Sequence, residues 1–483
     1  MKTLILIRPM IITMAMGILF SCSERDEILD TFDETQAVLK STTVESGTVF
    51  LISPTNTDDT YNIENALNDA ADSPGSTVKF TEGTFYLSHR IEIEGFDGYI
   101  IGAGKDKTII TQTPGEKINL IDLDNAFTAV LKFRLGNIRV SDLTFYFSDP
   151  EPAGKQNVPP DYPPEYWENA LQTVIYITGN SVTDLPGLPA DNQFVSSSFD
   201  NVGFIGADGN FLGYNIVHFV IIEPEWSMPP EYLKLDGGNH KFTNCEFRSS
   251  CVPLNVILAN NGTVTVGGSP KDGNKFENIC YGPYFEDVSN LNIEVSHNDI
   301  TDMLWVGSSV DQGNYVDPSS LDLSKVLIHD NNYEVKGICD AIWIDDYGYL
   351  SGTQKIDINI YNNKMNLETD QGSGGIFSYY AMDGLITNNK ISGNGVYGIF
   401  CWYCSGLLMK GNNVQNLNAA FAPIVLYDDA DNCMVVGGMN KTNVLDWGTN
   451  NILSGVNNMD TDPIGPEIHD AMMHKKDLMK TFR

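Results

Sequence analysis

The chain has 483 residues, 63 acidic against 29 basic, for a formal net charge of −34 with histidines neutral. Such a field repels polyanions, which argues against nucleic acid as a partner and against sliding along anionic lipid. A hydrophobic content of 42% over this length is enough to bury a large core.

Lys2 and Arg8 precede a short apolar run, Met10 to Ser21, and Cys22 follows at once. The run is too short to span a bilayer as a mature helix and has the layout of an export signal. Leu19-Phe20-Ser21-Cys22 resembles the lipobox of bacterial lipoproteins. That resemblance implies cleavage before Cys22, a diacylglycerol on its sulfur and membrane contact through that lipid anchor alone. Residues 1–21 then form the signal. Residues 22–46, polar and poor in aromatics, form an acidic tether. Ser23-Glu24-Arg25-Asp26-Glu27 resembles the acidic stretch of lipoproteins displayed at the cell surface, which implies an outer-membrane location.

Beyond Cys22 there are seven cysteines: Cys245, Cys251, Cys280, Cys339, Cys401, Cys404 and Cys433. An odd number cannot close a disulfide framework. Cys401 and Cys404 have redox or half-zinc spacing, but no second such pair accompanies them. Most of these thiols read as small apolar core fillers, and no zinc site is expected.

Ile63, Ala66, Leu67 and Ala70 fall at helical spacing after Asp58-Asp59-Thr60 and before Pro74-Gly75, a short amphipathic helix. Short strands follow at 76–80, 83–87, 91–94, 99–104 and 108–110. A phrase then recurs: Val140 to Phe145, Phe199 to Phe204, Phe242 to Phe247, Phe276 to Tyr281, Val295 to Ile300, then Asp330, Tyr361, Thr387 and Gly411 onward. Aligned, it makes one column of Leu143, Val202, Cys245, Ile279, Asn298, Asn331, Asn363, Asn389 and Asn412. Asparagine suits a stack at a bend: it tolerates the left-handed region, and its amide can donate to one neighbour while accepting from the other. The later copies stand 23 to 33 residues apart, and the shorter intervals match one coil of a solenoid.

A second phrase alternates with the first: 283–287, 304–308, 342–346, 376–380, 399–403 and 424–428. Period-2 alternation turns Ile342, Ile376, Ile399 and Ile424 inward and the residues after them outward. Two strands per coil, with no helices between and no hairpin turns, describe an all-β solenoid. The opening, with Gly83-Thr-Phe-Tyr-Leu87 and Ile100-Ile-Gly-Ala-Gly-Lys-Asp-Lys-Thr-Ile-Ile110, resembles the pectate-lyase-like superfamily. The implied fold is a single-stranded right-handed parallel β-helix over 47–462, with an N-terminal capping helix and a C-terminal helix or tail at 463–483. The superfamily holds lyases, hydrolases, epimerases and binding proteins, so fold does not choose among them.

Two proline-rich insertions, at about 149–169 and 223–232, each carry Pro-Pro-Glu-Tyr and a tryptophan. They either wall a groove or pack on the side of the solenoid. The second phrase makes outward columns. One is Tyr284, Trp305, Trp343, Phe377, Phe400 and Val425; the next is Glu286, Gly307, Asp345, Tyr379, Trp402 and Tyr427. A third is Asp287, Ser308, Asp346, Tyr380, Tyr403 and Asp428. Aromatic rows flanked by carboxylates mark a ligand surface or a patch covered by a loop. Sugar rings stack their C–H faces on aromatics and their hydroxyls pair with carboxylates, so the expected partner is a polysaccharide or oligosaccharide.

Glu286 and Asp345, two coils apart, are separated by about 9–10 Å, near the spacing of acid and base in an inverting glycosidase. Asp340 with Asp345-Asp346 resembles the Asp and Asp-Asp elements of polygalacturonase-type hydrolases, although the chain has no Gly-His-Gly and no Arg-x-Lys downstream. Glu286, Asp345 and Asp346 are thus the acid/base candidates, with Trp305, Trp343, Phe377, Tyr379, Phe400, Trp402 and Tyr427 as the platform. A non-catalytic glycan-binding solenoid fits the same residues. A lyase is third, since no arginine lies between Arg248 and Arg483 to neutralise a uronate or act as base. No cofactor or metal is expected; the acidic face could hold Ca²⁺, but no compact aspartate cluster of EF-hand type is present.

Overall fold

A computed structural model describes residues 47–114, 129–147, 171–179, 195–207, 216–224, 235–236, 238–312, 324–337, 340–346, 356–368, 372–437 and 442–459. The signal, Cys22, the tether, Cys339, the C-terminal tail and most of both insertions lie outside these residues; Glu223 and Pro224 end the strand Ile216–Pro224. No described helix is long and apolar enough to cross a membrane.

The described strands form one long sheet, paired in parallel, and a separate two-stranded pairing of Leu235–Asp236 with Ala259–Asn260. The chain is a right-handed parallel β-helix. Each coil has three faces rather than the two strands expected. Face A includes Asn292–Ser296, Lys325–His329 and Asp357–Tyr361, joined in register. Face B includes Lys275–Tyr281, Asn332–Val335 and Lys364–Glu368. Face C includes Pro283–Val288, Asp340–Asp346 and Gly374–Tyr379. Faces A and B read as one phrase in the sequence because their corner is so short.

That corner explains the asparagines. The left-handed residue is the one before the column: His297, Asp330, Asn362 and Asn388 have φ between +55° and +59°. The next residue, the column asparagine, turns inward. The column also begins earlier than expected, because Asn274 and not Ile279 occupies its coil: Glu246 pairs with Lys275, and Lys275 with Asp299. From Asn274 through Asn298, Asn331, Asn363 and Asn389 to Asn412, each Nδ2 donates to the next Oδ1 at 2.9–3.1 Å. Each Nδ2 also donates to a face A carbonyl of the preceding coil, such as Val295 for Asn331 at 2.8 Å. Each Oδ1 also accepts a backbone N–H, such as Asn298 N to Asn331 Oδ1 at 2.9 Å. Buried amides this well satisfied are stabilising.

Inside the coils runs a continuous apolar core in which side chains stack on their copies one turn away. Phe199 lies on Phe242 at 5.1 Å, and Phe204, Phe247 and Phe276 form a stack at 5.0 and 4.7 Å. Cys245, Cys401, Cys404 and Cys433 are buried within this interior as small fillers. The helix α1 (Thr60–Ala71) covers its start with buried Ile63, Leu67 and Ala70, each large side chain there worth about 2 kcal/mol of burial. The buried Asp59 carboxylate fastens the cap, accepting Thr55 N at 2.9 Å and Tyr86 N at 3.1 Å.

Candidate functional site on face C

On face C, Ile342, Ile376, Ile399 and Ile424 point into the coil core as the alternation predicts. Trp343, Phe377, Phe400 and Val425 point away from it, into a second apolar cluster. Register corrects the membership of that column: Tyr284 pairs with Ser309, which pairs with Trp343, so Ser309 and not Trp305 belongs there. Trp305 lies earlier on the same long strand, Asp299–Gln312, edge-on to Tyr281 at 5.7 Å.

The same correction puts Asp311, not Gly307, in the carboxylate column. Asp311 pairs with Asp345, and Asp345 with Tyr379. On the other side Phe285 pairs with Val310 and Val288 with Gln312, so Glu286 and Asp287 together face Asp311 across a bulge. Glu286, Asp311 and Asp345 therefore occupy three consecutive coils, about 4.8 Å apart. Asp311 went unrecognised because the expected strand, Leu304 to Ser308, is offset by four residues from the one that pairs. Glu286 is half-buried, while Asp311 and Asp345 are each 1% exposed. Asp346 ends the strand Asp340–Asp346.

One coil edge away, Asp340 is fully buried and accepts a 2.6 Å hydrogen bond from the Tyr397 hydroxyl. The two are separated by one coil, whose in-register residue is Gly374. A Cβ on Gly374 would overlap both the Tyr397 ring and the Asp340 carboxylate. Glycine is needed there to let the tyrosine cross.

The expected platform divides into a floor and a rim. Trp343, Phe377, Phe400 and Trp402 are 1–4% exposed and Tyr379 is 8%; Phe377 stacks on both Trp343 and Phe400, and Tyr379 meets Trp402 edge-on. Tyr284, Trp305, Tyr380, Tyr403, Tyr427 and Trp447 are half-buried against that layer. Tyr380 and Tyr403 sit in consecutive coils with rings parallel at 4.8 Å and 11°. Both hold left-handed backbone, φ +58° and +52°, a conformation costly for a bulky side chain and concentrated at functional sites. Burial and the Tyr380 hydroxyl push the Tyr379 phenol well above its ordinary value, and burial with Asp428 raises Tyr427. These phenols stay protonated at neutral pH and can donate hydrogen bonds.

A second polar group, not anticipated from the sequence, lies on face A. His329 is stacked on Tyr361 at 4.6 Å and edge-on to His297 at 5.6 Å. Its Nδ1 is 2.8 Å from Asp330 and its Nε2 3.5 Å from Glu294. Burial opposes its charge, but the hydrogen bonds to Glu294 and Asp330 outweigh that and raise its pKa above 6.5. A raised pKa stabilises the fold fully below the unfolded value, and that contribution is lost as pH rises through the folded value. The thermal midpoint of His329→Gln should therefore fall furthest below wild type near pH 6, with the gap closing toward pH 9. A gap that widens with pH would refute the charged clamp.

A polar cleft of about 580 Å³ at the corner between faces C and A is lined by Asn239, Asn261, Asn290 and Asn292 among others. Asn261 and Asn290 are there for the turn, with φ +54° and +46°. Among the described residues no three or more His, Cys, Asp or Glu converge as a metal centre.

No protein-family profile matches the chain, and no curated protein does. Solved structures resemble it in shape. The A-module of the mannuronan C-5 epimerase AlgE4 of Azotobacter vinelandii is 12% identical, over 83% of this chain and 93% of that one, with a TM-score of 0.41. The Agl-KA catalytic domain is 13% identical over 86% and 68%, with a TM-score of 0.46. PfbA, a surface adhesin of Streptococcus pneumoniae, is 13% identical over 77% and 92%, with a TM-score of 0.39. At such identity and overlap a likeness says nothing about activity.

Proposed function

We propose that this is an exported β-helix, lipid-anchored through Cys22, that binds a polysaccharide along the rim of face C. The observation that carries the reading is the pair Tyr380 and Tyr403, half-buried in consecutive coils with their rings stacked at 4.8 Å. The left-handed corner itself belongs to the coil, since Leu258, Asp287 and Asp429 share it; what sets these two positions apart is the pair of parallel rings they present. With Tyr427 and Trp447 beside them, they offer apolar faces for sugar C–H groups and phenols for sugar hydroxyls. The buried Trp343, Phe377, Phe400 and Trp402 support the rim and do not themselves meet the glycan.

Hydrolysis is the second reading, and the carboxylate column favours it. Glu286 is the accessible acid, and Asp345, two coils away, is the partner at glycosidase-like spacing. Asp311 between them would raise the proton affinity of its neighbours by like charge, as a general acid requires.

The soluble chain from residue 47 would be titrated against a panel of neutral and uronate polysaccharides, with reducing ends measured in the same samples. Tyr403→Ala with Tyr427→Ala should weaken binding at least tenfold; unchanged binding would refute the rim. Release that disappears in Glu286→Gln while binding persists marks hydrolysis, and binding with no release in wild type marks a recognition protein. Palmitate labelling that is lost in Cys22→Ala tests the anchor.

A further inference from the structure

The structure divides the thiols in a way their odd number conceals. Cys251 and Cys280 stand in consecutive coils, one residue beyond the register pair Ser250 and Ile279. The backbone confirms the alignment: Cys280 N and Tyr281 N both donate to Cys251 O, at 3.1 and 2.9 Å. In-register parallel neighbours have Cα atoms about 4.8 Å apart, inside the range a disulfide spans. Cys280 is fully buried, while Cys251 is half-exposed at the edge of the outer apolar cluster.

We propose that Cys251 and Cys280 form a disulfide that staples two successive coils beside face C, and that among the described cysteines they are the pair open to a disulfide oxidant. The other described thiols contrast with them. Cys245, Cys401, Cys404 and Cys433 are buried in the coil interior, and Cys404 already donates to Ser378 O at 3.2 Å. A water-borne oxidant reaches Cys251 first. With oxidised glutathione, the Cys251 thiolate attacks one sulfur and releases one glutathione thiolate, leaving a mixed disulfide. Cys280 then loses its proton and attacks the Cys251 sulfur, releasing the second glutathione. Two protein thiols are oxidised and one glutathione disulfide is reduced to two thiols. Cys280 is the slow partner, because burial and the neighbouring Cys251 raise its thiol well above its ordinary value; closure should quicken as pH rises.

The staple does not depend on what face C binds. The folded chain from residue 47 would be incubated with oxidised glutathione at pH 8, denatured in N-ethylmaleimide, digested and mapped by mass spectrometry. The expected product is a Cys251–Cys280 cross-linked peptide, lighter by two hydrogens than its reduced parts, with Cys245, Cys401, Cys404 and Cys433 alkylated. Cys251→Ser should abolish the cross-link and leave Cys280 alkylated. The oxidised protein should melt at a higher temperature than the reduced one. Full alkylation of both cysteines, or a glutathione adduct that persists on Cys251 without closing, would overturn the proposal.

Discussion

Asn331→Ala is expected to destabilise the solenoid by about 3 kcal/mol or more, well beyond the loss of one side chain. Asn331 Nδ2 donates to Val295 O and to Asn363 Oδ1, and its Oδ1 accepts from Asn298 N and Asn298 Nδ2. Alanine leaves a buried carbonyl, a buried N–H and two neighbouring amides short of a partner at once, at a position that is 1% exposed and out of reach of solvent. The check is the urea midpoint of the variant against Asn412→Ala at the end of the ladder. Asn412 is half-buried, so water can replace part of what is lost. A loss at Asn331 no greater than that at Asn412 would show that the ladder acts as a set of independent turns.

Gly374→Ala should cost a similar amount for a different reason. The added methyl enters the space where the Tyr397 ring crosses to Asp340, and both residues are fully buried and cannot swing away. Either the 2.6 Å hydrogen bond breaks and strands a buried carboxylate, or the two coils separate. Tyr397→Phe isolates the first effect: it removes the hydroxyl but keeps the ring, and should cost about 1–3 kcal/mol. If Gly374→Ala is no worse than Tyr397→Phe, the steric part is negligible. Because solenoids need not unfold in one step, midpoints followed by two probes are the measure to compare.

The local pattern was enough for the architecture. Repeats at coil spacing, a run of asparagines in one aligned column and period-2 alternation describe a parallel solenoid, because each depends only on a residue's near neighbours and on its copy one turn away. The inward isoleucines and the capping helix follow from the same short-range rules. The register of the irregular coils was not legible. A bulge at Glu286–Asp287 and the long strand Asp299–Gln312 shift the pairing without altering composition, so Asp311 and Ser309 replaced Gly307 and Trp305 in their columns. Likewise Asn274 stood hidden five residues from Ile279, since only the pairing of Lys275 with Glu246 and Asp299 shows which residue turns inward.

The site depended on the fold still more. Outward on a strand is a local property, and the sequence alone determined it for Trp343, Phe377 and Phe400. Whether an outward residue meets water is decided by what packs over it, and only the tertiary structure shows those rings to be buried and the rim tyrosines half-exposed. The His329 cluster and the Cys251–Cys280 pair join residues from different coils, 29 to 67 positions apart across their members. No window of sequence contains them; the pitch of the helix brings them together.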